Sequence, residues 1–288
     1  MNSIRLALLV GLPLLISSAF AQPKTELGKN EKTDDRTITV DLGGDVKLKM
    51  IRIPKGSFLM GSKKANDLNA KKDELPQHNV EFANDFHLGE TEVAVGQFKQ
   101  FVADSGYKTE AERDASDCTW KTPKYPKEMQ SDDHPVVRVA YNDALAFCKW
   151  LSRKTGSSYG LPTESQWEYA CRAGSKTIYS FGDDVRQLGE YAWFADNTKE
   201  SGSRAVRQKK PNAFGLFDMH GNVREWVADH YTYWGYDKRT DILLKSNLRV
   251  IRGGGWALGA SQCRSADRDA DVPVARSTSV GFRVARVP

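Results

Sequence analysis

Apolar residues follow three different rhythms along this chain. The first is a solid block. Arg5 precedes the apolar run from Leu6 to Ile16, and Ser18, Ala19 and Ala21 supply the small residues that a signal peptidase reads. Residues 1–21 are therefore expected to be a signal peptide, cleaved after Ala21. The apolar run is short of the roughly 20 residues that a membrane span needs, so no span is expected after cleavage. Residues 22–36 are polar, charged and without period, the pattern of a flexible leader.

The second rhythm is alternation. Thr37–Leu42 alternates, Gly43-Gly44 offers a turn, and Val46–Ile53 alternates again, which predicts a hairpin. Further strands are expected at Val80–Phe82, Phe86–Val93 and His134–Val139. The third rhythm has helical period. Val95, Phe98, Phe101 and Val102 share one face of a helix from Val95 to Ser105, stopped by Gly106. Asn142 is expected to cap a second helix carrying Ala144, Phe147, Cys148 and Leu151, ended by Gly156. Thr163 and Gln166 form a capping box for a third stretch running to Gly174. The polar segment 111–133 predicts a long surface loop.

Composition narrows the function classes. Export places the chain in the periplasm or outside the cell. With 42 basic against 37 acidic residues the balance is too even to favour nucleic acid, and the short basic runs such as Lys71-Lys72 read as solvated surface. Four cysteines (Cys118, Cys148, Cys171 and Cys263) in an oxidising compartment predict disulfides, and three full pairings are open. No C-x-x-C spacing, paired-histidine motif, G-x-S-x-G elbow, Walker loop or dinucleotide fingerprint occurs, so zinc, nucleotide and serine-hydrolase chemistry have no support.

Several motifs stand in a fixed order. Ile53–Ser62 is followed by Leu161-Pro162-Thr163-Glu164-Ser165-Gln166-Trp167-Glu168-Tyr169-Ala170 and by Pro211-Asn212-Ala213-Phe214-Gly215-Leu216 through Gly221-Asn222-Val223-Arg224-Glu225-Trp226. Arg252-Gly253-Gly254-Gly255-Trp256, then Arg264-Ser265-Ala266-Asp267-Arg268, then Gly281-Phe282-Arg283 close the series. Together these resemble the formylglycine-generating, sulfatase-modifying-factor (FGE-sulfatase) family over roughly residues 46–287, within a domain taken as 37–288. The resemblance implies an α+β fold of C-type-lectin type: irregular, with two main helices on short, twisted, mostly antiparallel sheets. Trp150, Trp167, Trp226 and Trp256 are expected to fill its core.

The family's headline reaction oxidises a cysteine of sulfatases with a pair of enzyme cysteines and copper. Here the segment between the Trp and the Arg-x-Ala-x-Arg stretch is Ala257-Leu258-Gly259-Ala260-Ser261-Gln262, without a thiol. Leu258 stands at the first cysteine position, and Cys263 reaches the second only in an ungapped count. Cu(I) favours soft sulfur ligands, and a single thiolate holds it poorly, so copper is not expected and Cys263 is catalytic only if the chain is an enzyme after all. The resemblance further implies a Cys171–Cys263 disulfide, and leaves Cys148 as a buried thiol or a partner of Cys118. Asp218 and Asn222, with Asp196 and Asn197 upstream, offer hard oxygen ligands suited to a structural Ca²⁺, which the family often binds there. Ordinary turn chemistry is the competing account of the same residues.

The resulting expectation is an exported, non-catalytic binding or regulatory protein that presents the 257–279 surface to a protein or glycan partner. Trp256, Leu258, Arg264, Asp267, Arg268, Asp269 and Arg276 would border that surface, although the arginines equally suit internal ion pairs. Similar exported domains contact the external domain of a membrane kinase in the control of type VI secretion, and others are variable receptors. The alternative is a formylglycine-generating oxidase or another oxidoreductase on the same fold.

Overall fold

The computed structural model describes residues 31–33, 36–125, 130–233, 235–236 and 246–286. The signal-peptide reading of residues 1–21 lies outside them. Among the described residues no helix is long and apolar enough to cross a membrane.

The predicted hairpin forms as β2 (Thr37–Gly43) and β3 (Val46–Ile53), with Val40 opposite Leu48 and the turn at Gly43-Gly44, both at positive φ. The leader is shorter than expected. Glu31–Thr33 pairs antiparallel with Ile38–Val40 as an edge strand, β1, an arrangement made by backbone hydrogen bonds and invisible to side-chain period. β4 (Gly56–Met60) and β5 (His78–Phe82) make a two-stranded ribbon. β6 (Phe86–Gly89) lies beside β3.

Helix α1 (Val95–Ser105) has the predicted bounds; Gln97 Oε1 accepts from the Ala94 N–H at 2.9 Å, and Gly106 stops the helix at φ 66°. A short α2 (Glu110–Arg113), capped by Thr109, interrupts the expected loop. Helix α3 (Tyr141–Thr155) is capped at Ala140, not Asn142: Asp143 Oδ2 accepts from the Ala140 N–H at 2.9 Å. Asn142 turns outward to Glu110 instead. The 134–139 strand does not form. Its backbone groups serve separate loops, Val136 N–H to Val93, Arg138 N–H to Ser277 and, just beyond, Tyr141 N–H to Pro273, and only Pro135 makes an isolated bridge.

After β7 (Tyr159–Gly160) comes α4 (Glu164–Arg172), with the Thr163–Gln166 capping box in place. It is buried almost all round, as a helix inside a core should be. The last strands are β8 (Arg224–His230), β9 (Arg249–Arg252), β10 (Arg268–Asp271), β11 (Val280–Phe282) and β12 (Ala285–Arg286). They build a six-stranded sheet ordered β1-β2-β3-β6-β12-β7 and a four-stranded one ordered β10-β9-β8-β11, antiparallel except for β8 with β11.

The six-stranded sheet separates two cores. One face presents Val40, Leu42, Leu48 and Met50 to α1 and α3, where Phe98, Phe101, Phe147 and Phe282 pack ring against ring. The other presents Ile51, Ile53 and Leu88 to α4, around Trp167 and Leu216. Trp150, Trp167, Trp226 and Trp256 are all buried, at 5% exposure or less.

Candidate functional site

The C-terminal motif is assembled from close backbone approaches. Gly253, at φ +83°, lies under the Trp167 ring, where a Cβ would come within 3.1 Å. At Gly254 a Cβ would meet Cys263 Sγ and the His220 carbonyl, each at 2.5 Å. The Trp256 N–H donates to Asn222 O at 2.8 Å and its indole to Thr278 O at 3.0 Å, while Thr198 Oγ1 donates to Trp256 O at 2.5 Å. Leu258 follows in a turn, its N–H on Gly255 O and its carbonyl accepting from Ala195 N–H. A branched alkyl side chain occupies the place where the family's first cysteine is expected.

Most of the charged residues expected to border a ligand surface are interior. Arg264, 2% exposed, forks onto Glu74 at 2.7 and 2.8 Å, reaches Asp67 at 2.6 Å and Asp267 at 3.1 Å. Lys71 joins Asp267 at 2.8 Å. Arg268 holds Glu164 at 2.6 and 3.0 Å and the Asp73 carbonyl at 2.6 Å. Arg252 pairs with Glu168 and donates to Ala266 O. Burial works against these three guanidinium charges, but the surrounding carboxylates hold their pKa values above the ordinary arginine value. Arg264, Asp267 and Arg268 therefore hold loop 61–75 and α4 to the C-terminal motif, and they and Trp256 do not face solvent. Asp269 stays exposed beside Arg224, and Arg276 reaches Asp114 on the surface at 2.7 Å. With Val272 and Val274, also exposed, they mark what remains of the expected surface.

The implied Cys171–Cys263 bridge is not formed; all four cysteines are free thiols. The His220 ring packs 3.9 Å from Cys171 Sγ, and its Nδ1 donates to the Cys263 carbonyl at 2.8 Å. Cys263 Sγ instead faces Gly259 O at 3.5 Å. Burial pushes the Cys171 and Cys263 thiols up to about 12, far from the thiolate state that metal binding or nucleophilic attack requires.

The candidate calcium ligands divide. Asn222 spends its amide on the Arg204 backbone, accepting from N–H at 2.9 Å and donating to O at 3.1 Å. Asn197 does the same for Phe194 and Ala192, and Asp196 is exposed. Asn222 and Asn197 follow turn chemistry. Asp218 is different: Oδ2 accepts from Arg207 N–H at 2.9 Å, but Oδ1 is buried without a partner. Beside it lies a residue that sequence reading missed, Glu92, fully buried with both carboxylate oxygens unpartnered. Glu225 completes the group, held by Arg283 at 2.7 Å and by the Trp167 indole at 2.8 Å. Burial and then the neighbouring Asp218 raise Glu92 well above the usual carboxylate range, and burial lifts Asp218 to about 6. Three carboxylates around one guanidinium leave Glu92 and one oxygen of Asp218 uncompensated, yet among the described residues no three Asp, Glu, His or Cys side chains are grouped so that they could hold a metal ion. The signal in the sequence was a lone acid, Glu92, placed directly before the apolar face of α1.

Fold and site together define a domain of the sulfatase-modifying-factor type. The chain belongs to the sulfatase-modifying factor enzyme 1-like (FGE-sulfatase) family, whose description matches residues 45–288. It is 31% identical to the formylglycine-generating enzyme of Streptomyces coelicolor, covering 82% of this chain and 88% of that one. It is also similar to the inactive C-alpha-formylglycine-generating enzyme 2 of Mus musculus (28%, 82% and 85%) and to the serine/threonine-protein kinase pkn1 of Chlamydia pneumoniae (29%, 82% and 38%). The solved structure of PvdO from Pseudomonas aeruginosa superposes with a TM-score of 0.74 at 30% identity, over 89% of this chain and all of that one.

Proposed function

We propose that this chain is an exported FGE-sulfatase-fold protein that binds a partner and does not oxidise cysteine. One observation carries the reading: Leu258 fills the first thiol position, and Cys263 is buried, which pushes its thiol up to about 12. Two thiolates are needed to hold Cu(I) firmly, and neither is on offer. The exposed residues of the 257–279 region, Asp269, Val272 and Val274 among them, with half-buried Arg276 beside them, supply a surface on a rigid scaffold, where recognition is commonly placed. A protein or glycan outside the inner membrane is the partner class. Likeness to the serine/threonine-protein kinase pkn1 lends support to a kinase-associated role, with the external domain of a membrane kinase as the proposed partner.

The test is direct. Purified protein loaded with Cu(I) is incubated with a Cys-x-Pro-x-Arg peptide, and mass spectrometry follows the loss expected for thiol to aldehyde. No conversion is expected. Turnover would overturn the reading in favour of a formylglycine-generating oxidase, an alternative that the Streptomyces relative keeps in view.

A further inference from the structure

A polar cleft lies between the segment after β4 and the segment after α4. Its floor is a fixed clasp. Arg172, 5% exposed, donates to Glu168 Oε1 at 2.8 Å, to Gly61 O at 3.0 Å and to Thr177 O at 3.0 Å. Glu168 Oε1 in turn accepts from the Gly61 N–H at 2.9 Å, and Gln77 donates to Gly61 O at 3.2 Å. Both walls are thereby tied to α4. The cleft encloses about 310 Å³ and continues into a second lobe of about 250 Å³.

The side chains along this cleft have unspent hydrogen-bonding capacity. Lys63 and Lys176 line both lobes, and neither ammonium has an ion-pair partner among the described residues. The Asn66 amide also lines both lobes. Asp183 uses one carboxylate oxygen on the Ile178 N–H at 2.7 Å and keeps the other at the mouth. Phe58 and Tyr169, with ring centroids 5.3 Å apart, wall the second lobe.

We propose that this cleft binds an acidic sugar: a hydroxylated ring carrying a carboxylate or a phosphate or sulfate ester. The two lysines meet the anionic group as mobile point charges. Asn66 and Asp183 provide the donor and the acceptor that ring hydroxyls need, and the aromatic wall takes an apolar ring face. An acidic peptide would use the lysines but brings neither a ring hydroxyl to donate to Asp183 nor a ring face for the aromatic wall. The proposal does not rest on the 257–279 surface or on the absence of cysteine oxidation, so either could fail without it.

The experiment is calorimetric titration of the mature chain with glucuronate, glucose 6-phosphate, glucose, inorganic phosphate and a short Asp/Glu peptide. Glucuronate and glucose 6-phosphate are expected to bind about tenfold or more tightly than glucose or phosphate, with affinity falling as salt rises. The Lys63→Gln/Lys176→Gln double variant is expected to lose about tenfold for both acidic sugars. Lys121→Gln, on a surface remote from the cleft, is expected to change nothing. Both lysines are exposed and unpaired, so the thermal midpoint of the double variant checks only that the fold is intact. Unchanged affinity in that variant, equal binding of inorganic phosphate, or binding of the peptide without the sugars would each overturn the proposal.

Discussion

Arg264→Met isolates the interaction on which the C-terminal motif depends most. Arg264 is 2% exposed, forks onto Glu74, and also meets Asp67 and Asp267, so the replacement strands Asp67 and Glu74 and leaves Asp267 with Lys71 and Arg224. Breaking a buried pair from one side costs about 3–5 kcal/mol, because the remaining charge has been desolvated without compensation. That is a large share of a domain stability of about 5–15 kcal/mol. At about 2–4 °C per kcal/mol for a chain of this size, the thermal midpoint should fall by roughly 6–20 °C. Urea denaturation followed by tryptophan fluorescence measures the loss. A second variant, Arg264→Met/Glu74→Gln, should recover part of it by removing one stranded charge. A loss under about 1 kcal/mol, or no recovery in the double variant, would refute the assignment of Arg264 as the clasp between loop 61–75 and the motif.

Gly254→Ala should cost more than about 2 kcal/mol, seen as a lower urea midpoint, since its Cβ would strike a carbonyl and a sulfur at 2.5 Å. His220 is depressed to about 4, chiefly by burial, with the Cys263 carbonyl fixing the proton on Nδ1 and the Ser180 N–H donating to Nε2. The unfolded histidine protonates near 6.5, so this group's contribution is complete above that pH and is lost as pH falls toward 4, about 3 kcal/mol in all. His220→Gln should flatten the stability difference between pH 7 and pH 4.5, and an unchanged slope would count against a buried neutral imidazole. Thiol titration should find one accessible group in the native protein, Cys118, and four after denaturation; fewer than four would mean that a bridge forms.

Local pattern was enough for β2, β3, α1 and α4, because their hydrophobic period, capping residues and turn glycines all act within a few positions. It failed at His134–Val139, where Val136, Val137 and Val139 are buried as a strand's would be, yet each backbone group finds a different loop. It also misplaced Arg264 and Arg268. Their partners Asp67, Glu74 and Glu164 lie 104 to 197 positions away, and no local rule distinguishes an arginine awaiting such a partner from one facing water. Buried Glu92 escaped for the same reason, because its neighbours Asp218 and Glu225 come from a distant loop and strand.

Strand β12 has a consequence for the order in which the chain can fold. Ala285 and Arg286 sit between β6 and β7, inside the six-stranded sheet and not at its rim. Until those residues are synthesised, Leu88 and Gly160 expose ladder positions with nothing to fill them. A growing chain can make the β2–β3 hairpin and the helices as they emerge, but must hold the sheet open until β12 arrives. Closure of this domain is therefore a late event governed by contacts of very long sequence separation, the kind that folds slowly and leaves an edge available to other chains meanwhile.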